Sequence, residues 1–358
     1  MGKLRLPDVE KQEMLDLPML LLTLLLTALG LVMIYSSSFA RALYESGDSA
    51  YYFKRQAVFA LLGTAAMLGI SRVRPELIRR LAFPILGVSI LFLILVFVPG
   101  IGRSENGAAR WVSLGISFQP SEVAKLGVIL SFAAMITRFG EKMETFRWGI
   151  APFAGILGVI VVLLRLEPHN SAIVIIACTA GAMLLGLVLI LGAGGYEASR
   201  ITAWQDPFSD PTDDGYQIIQ SLYAIGSGGL FGLGFGQGRQ KYLYLPEEHN
   251  DYIFSIACEE LGLTGAAAIL ILYALLILRG YWISMHIRDR FLSLTVAGIT
   301  TLTALQVFFN IGVVTNLLPS TGISLPFFSY GGPALLLQLG EMGIILGASR
   351  QCSAGFLF

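Results

Sequence analysis

Charge is what this sequence has least of. Only 13% of its 358 residues are Asp, Glu, Lys or Arg, about half the share found in water-soluble domains. What charge there is balances, with 24 basic and 24 acidic residues. No global field therefore argues for a nucleic acid partner. Cysteine is scarce too: Cys178, Cys258 and Cys352 are odd in number, and their spacing suits neither a disulfide framework nor a zinc site. The GxxxxGK[ST], HExxH and GxSxG patterns of common soluble enzymes are absent. Between Gly226 and Gly238 lie seven glycines, but not in GxGxxG spacing. That stretch reads as a tightly turned external loop rather than a phosphate cradle.

What the sequence has in abundance is apolar surface, at 55% hydrophobic residues with 22 Phe and 40 Gly. Runs of apolar residues lie near 17–37, 56–71, 81–99, 120–137, 149–165, 171–192, 252–278, 291–315 and 332–349. A bilayer core takes roughly 20 such residues per helix, and a backbone in lipid must pair its amides within its own segment. The chain is therefore expected to be an all-α, polytopic membrane protein. It forms a single domain over residues 1–358, with nine clear helices of about ten. The first run is too long for a signal-peptide core and follows a segment that mixes Lys3, Arg5 and Lys11 with four acids, so it reads as a retained span.

Basic residues set the orientation. The N-terminal segment, the connection with Arg72, Arg74, Arg79 and Arg80, the one with Arg138, Lys142 and Arg147, and the one with Arg279, Arg288 and Arg290 are placed in the cytoplasm. Both termini are then cytoplasmic. The connections 38–55, 100–119, 166–170, 197–250 and 316–331 face outward. Of these, 197–250 is the one large external loop, and 316–331 carries no charge and is broken by Pro and Gly. It reads as a re-entrant or interfacial segment packed against protein. This topology has a parity problem. Residues 171–196 must cross an even number of times, and two crossings need about 40 residues.

Ionisable residues at span ends point to chemistry, because burying a charge in lipid is costly. Glu122 and Lys125 share a helical face at the outer end of the fourth run. Glu259 and Glu260 lie in the run that starts near Tyr252, and Glu341 in the last run. Asp251 stands where the acidic loop enters the membrane. Glu122–Lys125 reads equally as a self-satisfied ion pair, Glu259 and Glu260 as braces, and Asp251 as a helix cap. Together with Arg103, Arg110 and Trp111 of the outer loop, these groups suit an anionic, lipid-linked substrate with its head group outside the membrane. Asp251 is then the candidate general base. Arg239 and Lys241 add further basic candidates for substrate binding. Glu247, Glu248 and Asp251 offer a weak site for a divalent cation, Mg or Mn, against the alternative of a solvated acidic loop.

Three long stretches carry a family resemblance. NGAARWVSLGISFQPSEVAKL (106–126), DGYQIIQSLYAIGSGGLFGLGFGQGRQKYLYLPEEHNDYIFSIACEELG (214–262) and NIGVVTNLLPSTGISLPFFSYGG (310–332) resemble, in order, signatures of the SEDS proteins of shape, elongation, division and sporulation. The wording RQKYLYLPE and HNDYIFS leans towards the division and sporulation members. The resemblance implies a peptidoglycan glycosyltransferase that polymerises lipid II, an undecaprenyl-pyrophosphate-linked disaccharide peptide. It also implies a class B penicillin-binding protein, a transpeptidase, as partner. Carried over by motif, the essential external Asp is Asp251, the outer-loop Trp is Trp111, and the QPSE-xx-K residues are Ser121, Glu122 and Lys125.

The chain departs from the family pattern in places. The region after the sixth run is short by about one span, and an LxPD motif reads Leu166-Glu167-Pro168-His169. Two rival readings accompany the polymerase: a lipid II flippase and a non-catalytic scaffold for the transpeptidase. Polar groups gathered near the outer surface, rather than through the bilayer depth, favour chemistry there.

Overall fold

The computed structural model describes residues 15–105, 108–113, 115, 117–167, 169–183, 204–207 and 215–352. Each of the nine apolar runs falls on a helix where it is described, the run 171–192 as far as residue 183. In chain order the α-helices of the described residues are α1 (Leu17–Ser46), α2 (Tyr51–Ile70), α3 (Pro75–Leu95), α4 (Pro120–Phe139), α5 (Phe146–Gly149) continuing into α6 (Ala151–Leu166), α7 (Asn170–Met183), α8 (Tyr216–Gly228, outside the nine runs), α9 (Ile253–His286), α10 (Arg290–Val314) and α11 (Gly332–Ser349). Six of the described segments are long and apolar enough to cross a membrane: α1, α3, α5–α6, α9, α10 and α11. Helices α2 and α4, at 20 residues each, are also of span length. The parity problem falls largely on 184–203, outside the described residues.

Burial is distributed as lipid requires. Leu17, Leu21, Leu25 and Val32 of α1, Leu61 of α2, Leu91 of α3 and Ile271, Leu275 and Leu278 of α9 point outward. Ser36, Gln56, Lys125, Glu260, Asn310, Gln338 and Glu341 point inward. In water such outward leucines would be a liability; in a bilayer they are the solvent-facing surface.

The ends of α1 and α9 measure the membrane. Asp16 caps α1, accepting from the Met19 amide at 2.9 Å, and also pairs with Arg279 of α9 at 2.7 Å. At the other end Ser36 Oγ donates to Glu260 at 2.6–2.7 Å. At about 1.5 Å per residue, residues 16–36 and 260–279 each rise roughly 30 Å, the thickness of the hydrocarbon layer. Glu260 therefore marks one boundary, and Asp251 lies beyond it.

One departure from an all-helical chain occurs among the described residues. The outer connection after α3 folds into an antiparallel sheet of β1 (Gly102–Glu105), β2 (Ala108–Ser113) and β3 (Ser117–Phe118), in that order. Arg103 pairs with Trp111 across β1 and β2. The alternation in this short polar segment is too brief to announce strands in sequence.

Candidate active site

Helix α9 is broken where the external loop meets it. Gly262 adopts φ 67° and ψ −169° inside the helix, which leaves amides and carbonyls unpaired within α9. The glycine-rich turn supplies partners. Leu233 and Gly234 donate to the carbonyls of Glu259 and Glu260 at 3.0 and 3.1 Å, while the amides of Leu263 and Thr264 donate to Gly229 and Leu230 at 2.9 and 3.1 Å. A Cβ on Gly262 would lie 2.2 Å from the Gly232 nitrogen, so these backbones can meet only as glycines. The seven glycines thus form a tight turn, as the sequence suggests, and the turn repairs a helix at the membrane boundary.

The two carboxylates above the break hold the rest of the loop. Glu259 accepts from the Arg239 and Gln240 amides at 2.7 and 3.2–3.3 Å. Glu260 takes the buried Lys241 ammonium at 2.8 Å. Both act as braces, one of the two roles their sequence position allows. Lys241 is turned inward onto Glu260, whereas Arg239 is exposed and lines an open pocket with Tyr223, Leu233 and Gln240.

Residues 248–251 are then held one by one. Glu248, fully buried, receives the Arg41 guanidinium of α1 through two bonds of 2.8 Å. Burial works to raise its pKa, but His249 and Arg41 prevail and keep it below the ordinary glutamate value. The His249 ring packs between Tyr52 and Tyr330, and its carbonyl accepts from the Tyr330 amide at 2.9 Å. The Asn250 carbonyl accepts from Ser329 Oγ at 2.8 Å. The Asp251 carbonyl accepts from Asn310 Nδ2 of α10 at 2.7 Å, and that amide also reaches Ile323 O at 2.7 Å. Helix α9 has Tyr252 as its N-cap residue, with no side-chain cap bond from it. A Cβ on exposed Gly322 would lie 3.1 Å from Asp251 Oδ2, so the carboxyl faces a position without a side chain.

The uncharged segment 316–331 is what covers this region, and Ile323, Leu325, Phe327 and Phe328 are buried. Its backbone is held by side chains. Gln56 bonds Ser329 O and the Gly331 amide, Gln338 accepts from the Phe327 amide at 2.9 Å, and Tyr273 donates to Pro326 O. Irregular backbone packed on protein is the arrangement expected of it.

A second group of polar residues gathers at the outer end of α4. Lys125 pairs with Glu122 at 2.7–2.8 Å, with side-chain exposures of 4% and 14%. Glu341, one turn along α11 from Gln338, feels the charges of both. Ser121 is buried with its hydroxyl unbonded. Between α6 and α7, Glu167 is buried with both carboxyl oxygens unbonded. Burial raises its pKa to about 8 against the pull of Arg110. His169 lies 3.3 Å from Gln119; burial and then the charges of Arg110 and Lys125 lower its pKa to about 3. It is a neutral imidazole at physiological pH.

The sequence candidates are therefore sorted. Arg110, Ser121, Glu122 and Lys125 come together, with Glu167 and His169 added. Trp111 and Arg103 sit on the adjoining sheet, Trp111 half-buried and Arg103 exposed. Asp251 is set in the other group, and α11 touches both through Gln338 and Glu341. Of the candidate divalent-cation residues, Glu248 pairs with Arg41, and Glu247 accepts from Asn250 at 2.6 Å. Among the described residues no group of three or more His, Cys, Asp or Glu is placed to hold a metal ion. Sequence reasoning missed Arg41, which lies just past the first apolar run. It also missed Asn310, whose amide within an apolar run was the signal available.

Fold and site together define a class: a multi-pass helical membrane protein with a group of buried carboxylates and cations, Glu248, Glu260, Lys241 and Lys125 among them, towards one end of the bundle. The family model FTSW_RODA_SPOVE, described as "Cell cycle protein", matches residues 16–189 and 170–354. The chain is 40% identical to "Probable peptidoglycan glycosyltransferase FtsW" of Geobacter metallireducens, over 98% of this chain and 97% of that one. It is 40% identical to "Stage V sporulation protein E" of Bacillus subtilis, over 94% and 97%. Among solved structures it resembles a chain from a peptidoglycan synthase complex that coordinates polymerization and crosslinking, with TM-score 0.78, 27% identity, and coverage of 96% and 100%. It also resembles the rod shape determining protein RodA of Thermus thermophilus, with TM-score 0.70, 28% identity, and coverage of 96% and 99%. The chain belongs to the FtsW/RodA/SpoVE family, the SEDS proteins. It is a multi-pass protein of the cytoplasmic membrane.

Proposed function

We propose that this chain is a peptidoglycan glycosyltransferase that polymerises lipid II at the outer face of the membrane, with Asp251 as general base. The observation that carries the reading is the setting of Asp251. Its main chain is fixed by Asn310, and its carboxyl faces the side-chain-free position at Gly322 beyond the Glu260 boundary. Asp251 is half-buried and Gly322 exposed, which suits the approach of a sugar hydroxyl from outside. The acceptor hydroxyl gives its proton to Asp251 as its oxygen attacks the donor's anomeric carbon. The bond from that carbon to the pyrophosphate oxygen breaks, and the configuration inverts. Pyrophosphate leaves as a stabilised anion, so the second carboxylate of hydrolytic glycosidases is unnecessary.

Lys125 and Arg110, with Arg103 and Arg239 nearer solvent, are the cations suited to steady that anion. Trp111 offers a face to sugar, and Ser121 a hydroxyl. Lys241, already held by Glu260, contributes through the loop it anchors. The relatives' names and the synthase complex among the structural neighbours support the activity and a crosslinking partner. That partner is proposed to be a class B penicillin-binding transpeptidase.

The experiment is incubation of the purified protein and its transpeptidase with lipid II, without ATP. Glycan strands are expected. Movement of lipid II across vesicles without strands would favour a flippase, and neither activity would favour a scaffold.

A further inference from the structure

We infer that Arg41 is a positioning residue for Asp251, acting through Glu248. Four consecutive residues lead up to and include Asp251, and they are tied to α1, to the 316–331 segment and to α10. Glu248 is tied to α1, His249 to Tyr330, Asn250 to Ser329 and Asp251 to Asn310 on α10. Three of these ties are neutral hydrogen bonds to main-chain carbonyls, which leave rotation about the backbone open. The fourth is a charged, two-bonded fork with both distances at 2.8 Å. Such a fork fixes direction as well as distance.

The fork also has a rigid base. Helix α1 is pinned to α9 at its far end by Asp16 and Arg279 and near its outer end by Ser36 and Glu260. Arg41 sits about one turn beyond Ser36, so it holds Glu248 at a defined height above the membrane boundary. Glu248 is fully buried, and without Arg41 its carboxylate would have to leave that site, dragging the chain three residues from Asp251. Glu247 has φ 55°, a strained turn that by itself does not resist such a shift.

The inference rests on the reading of Asp251 as base, and the test separates the two. Arg41→Lys keeps the charge and loses the fork. It is expected to lower kcat for lipid II polymerisation by about tenfold or more, with KM and transpeptidase binding unchanged. In an Asp251→Asn background the same substitution should cause no further loss, because there is no carboxylate left to place. Should Arg41→Lys fold poorly, Arg41→Gln/Glu248→Gln removes both charges and takes its place in the same comparison. Wild-type kcat in a well-folded variant, or an equal fold-loss in the Asp251→Asn background, would overturn the positioning role. Near-normal activity of Asp251→Asn alone would instead overturn the general-base reading beneath it.

Discussion

Lys241 offers the sharpest test of whether a basic loop residue serves the substrate or the fold. Its ammonium and the Glu260 carboxylate are 2.8 Å apart, with side-chain exposures of 2% and 0%. Lys241→Met leaves that carboxylate buried, still accepting from the Ser36 hydroxyl but without its cation. Breaking one side of a buried pair costs about 3–5 kcal/mol. The Ser36 hydroxyl stays in place, so a loss towards about 3 kcal/mol is expected, enough to lower the folded-to-unfolded ratio by roughly a hundredfold. Lys241→Met/Glu260→Gln removes both charges and should recover most of that loss. Thermal unfolding in detergent can be followed with a thiol-reactive dye, because Cys258 and Cys352 are free and buried. Polymerisation is measured on the same samples. If the double variant regains both stability and activity, Lys241 is an anchor of the loop. A single variant that unfolds at the wild-type temperature, or a double variant as weak as the single, would refute the argument.

Other expectations follow from the same geometry. Gly322→Ala places a methyl carbon about 3.1 Å from Asp251 Oδ2; at this exposed site it should lower kcat several-fold while leaving the unfolding temperature near wild type. Gly262→Ala meets both a positive φ and a backbone atom at 2.2 Å. It should reduce folded protein sharply, whereas Gly69→Ala, with open space around its Cβ, should be silent in the same detergent unfolding assay. Glu167 has its pKa raised to about 8, so its contribution to stability is complete below the ordinary glutamate value and is lost as pH rises through about 8. Glu167→Gln should therefore unfold at a higher temperature than wild type near pH 8–9, the difference vanishing towards pH 4–5, in a pH series of unfolding curves.

The membrane fold was legible because lipid imposes its constraint on every residue of a span. Unbroken apolar length alone located the helices, and the uncharged, Pro-broken run 316–331 declared a segment that had to be packed on protein. Asp251, Glu122, Lys125 and Arg110 were legible for a related reason: a charge at a membrane boundary is conspicuous against an apolar background. What stayed hidden depends on partners distant in sequence. Arg41 looks like any basic residue after a span until Glu248, 207 positions away, closes on it. Lys241 reads as a loop cation available to bind substrate, and only folding turns it onto Glu260. The glycines of 226–238 announce a turn, but not that its amides complete a broken helix. The outer sheet was missed because its strands are too short for a periodic pattern to register.

The central claim is tested most directly by comparing wild-type and Asp251→Asn protein, each purified with its transpeptidase, for polymerisation of lipid II. Asn is nearly isosteric, and the main-chain bond from Asn310 to residue 251 does not involve the carboxyl, so folding and partner binding should persist. General-base catalysis is worth about 10²–10⁴-fold, and the rate of glycan formation should fall by at least about a hundredfold. A folded, partner-bound Asp251→Asn protein that still makes glycan strands at a near-normal rate would contradict the account.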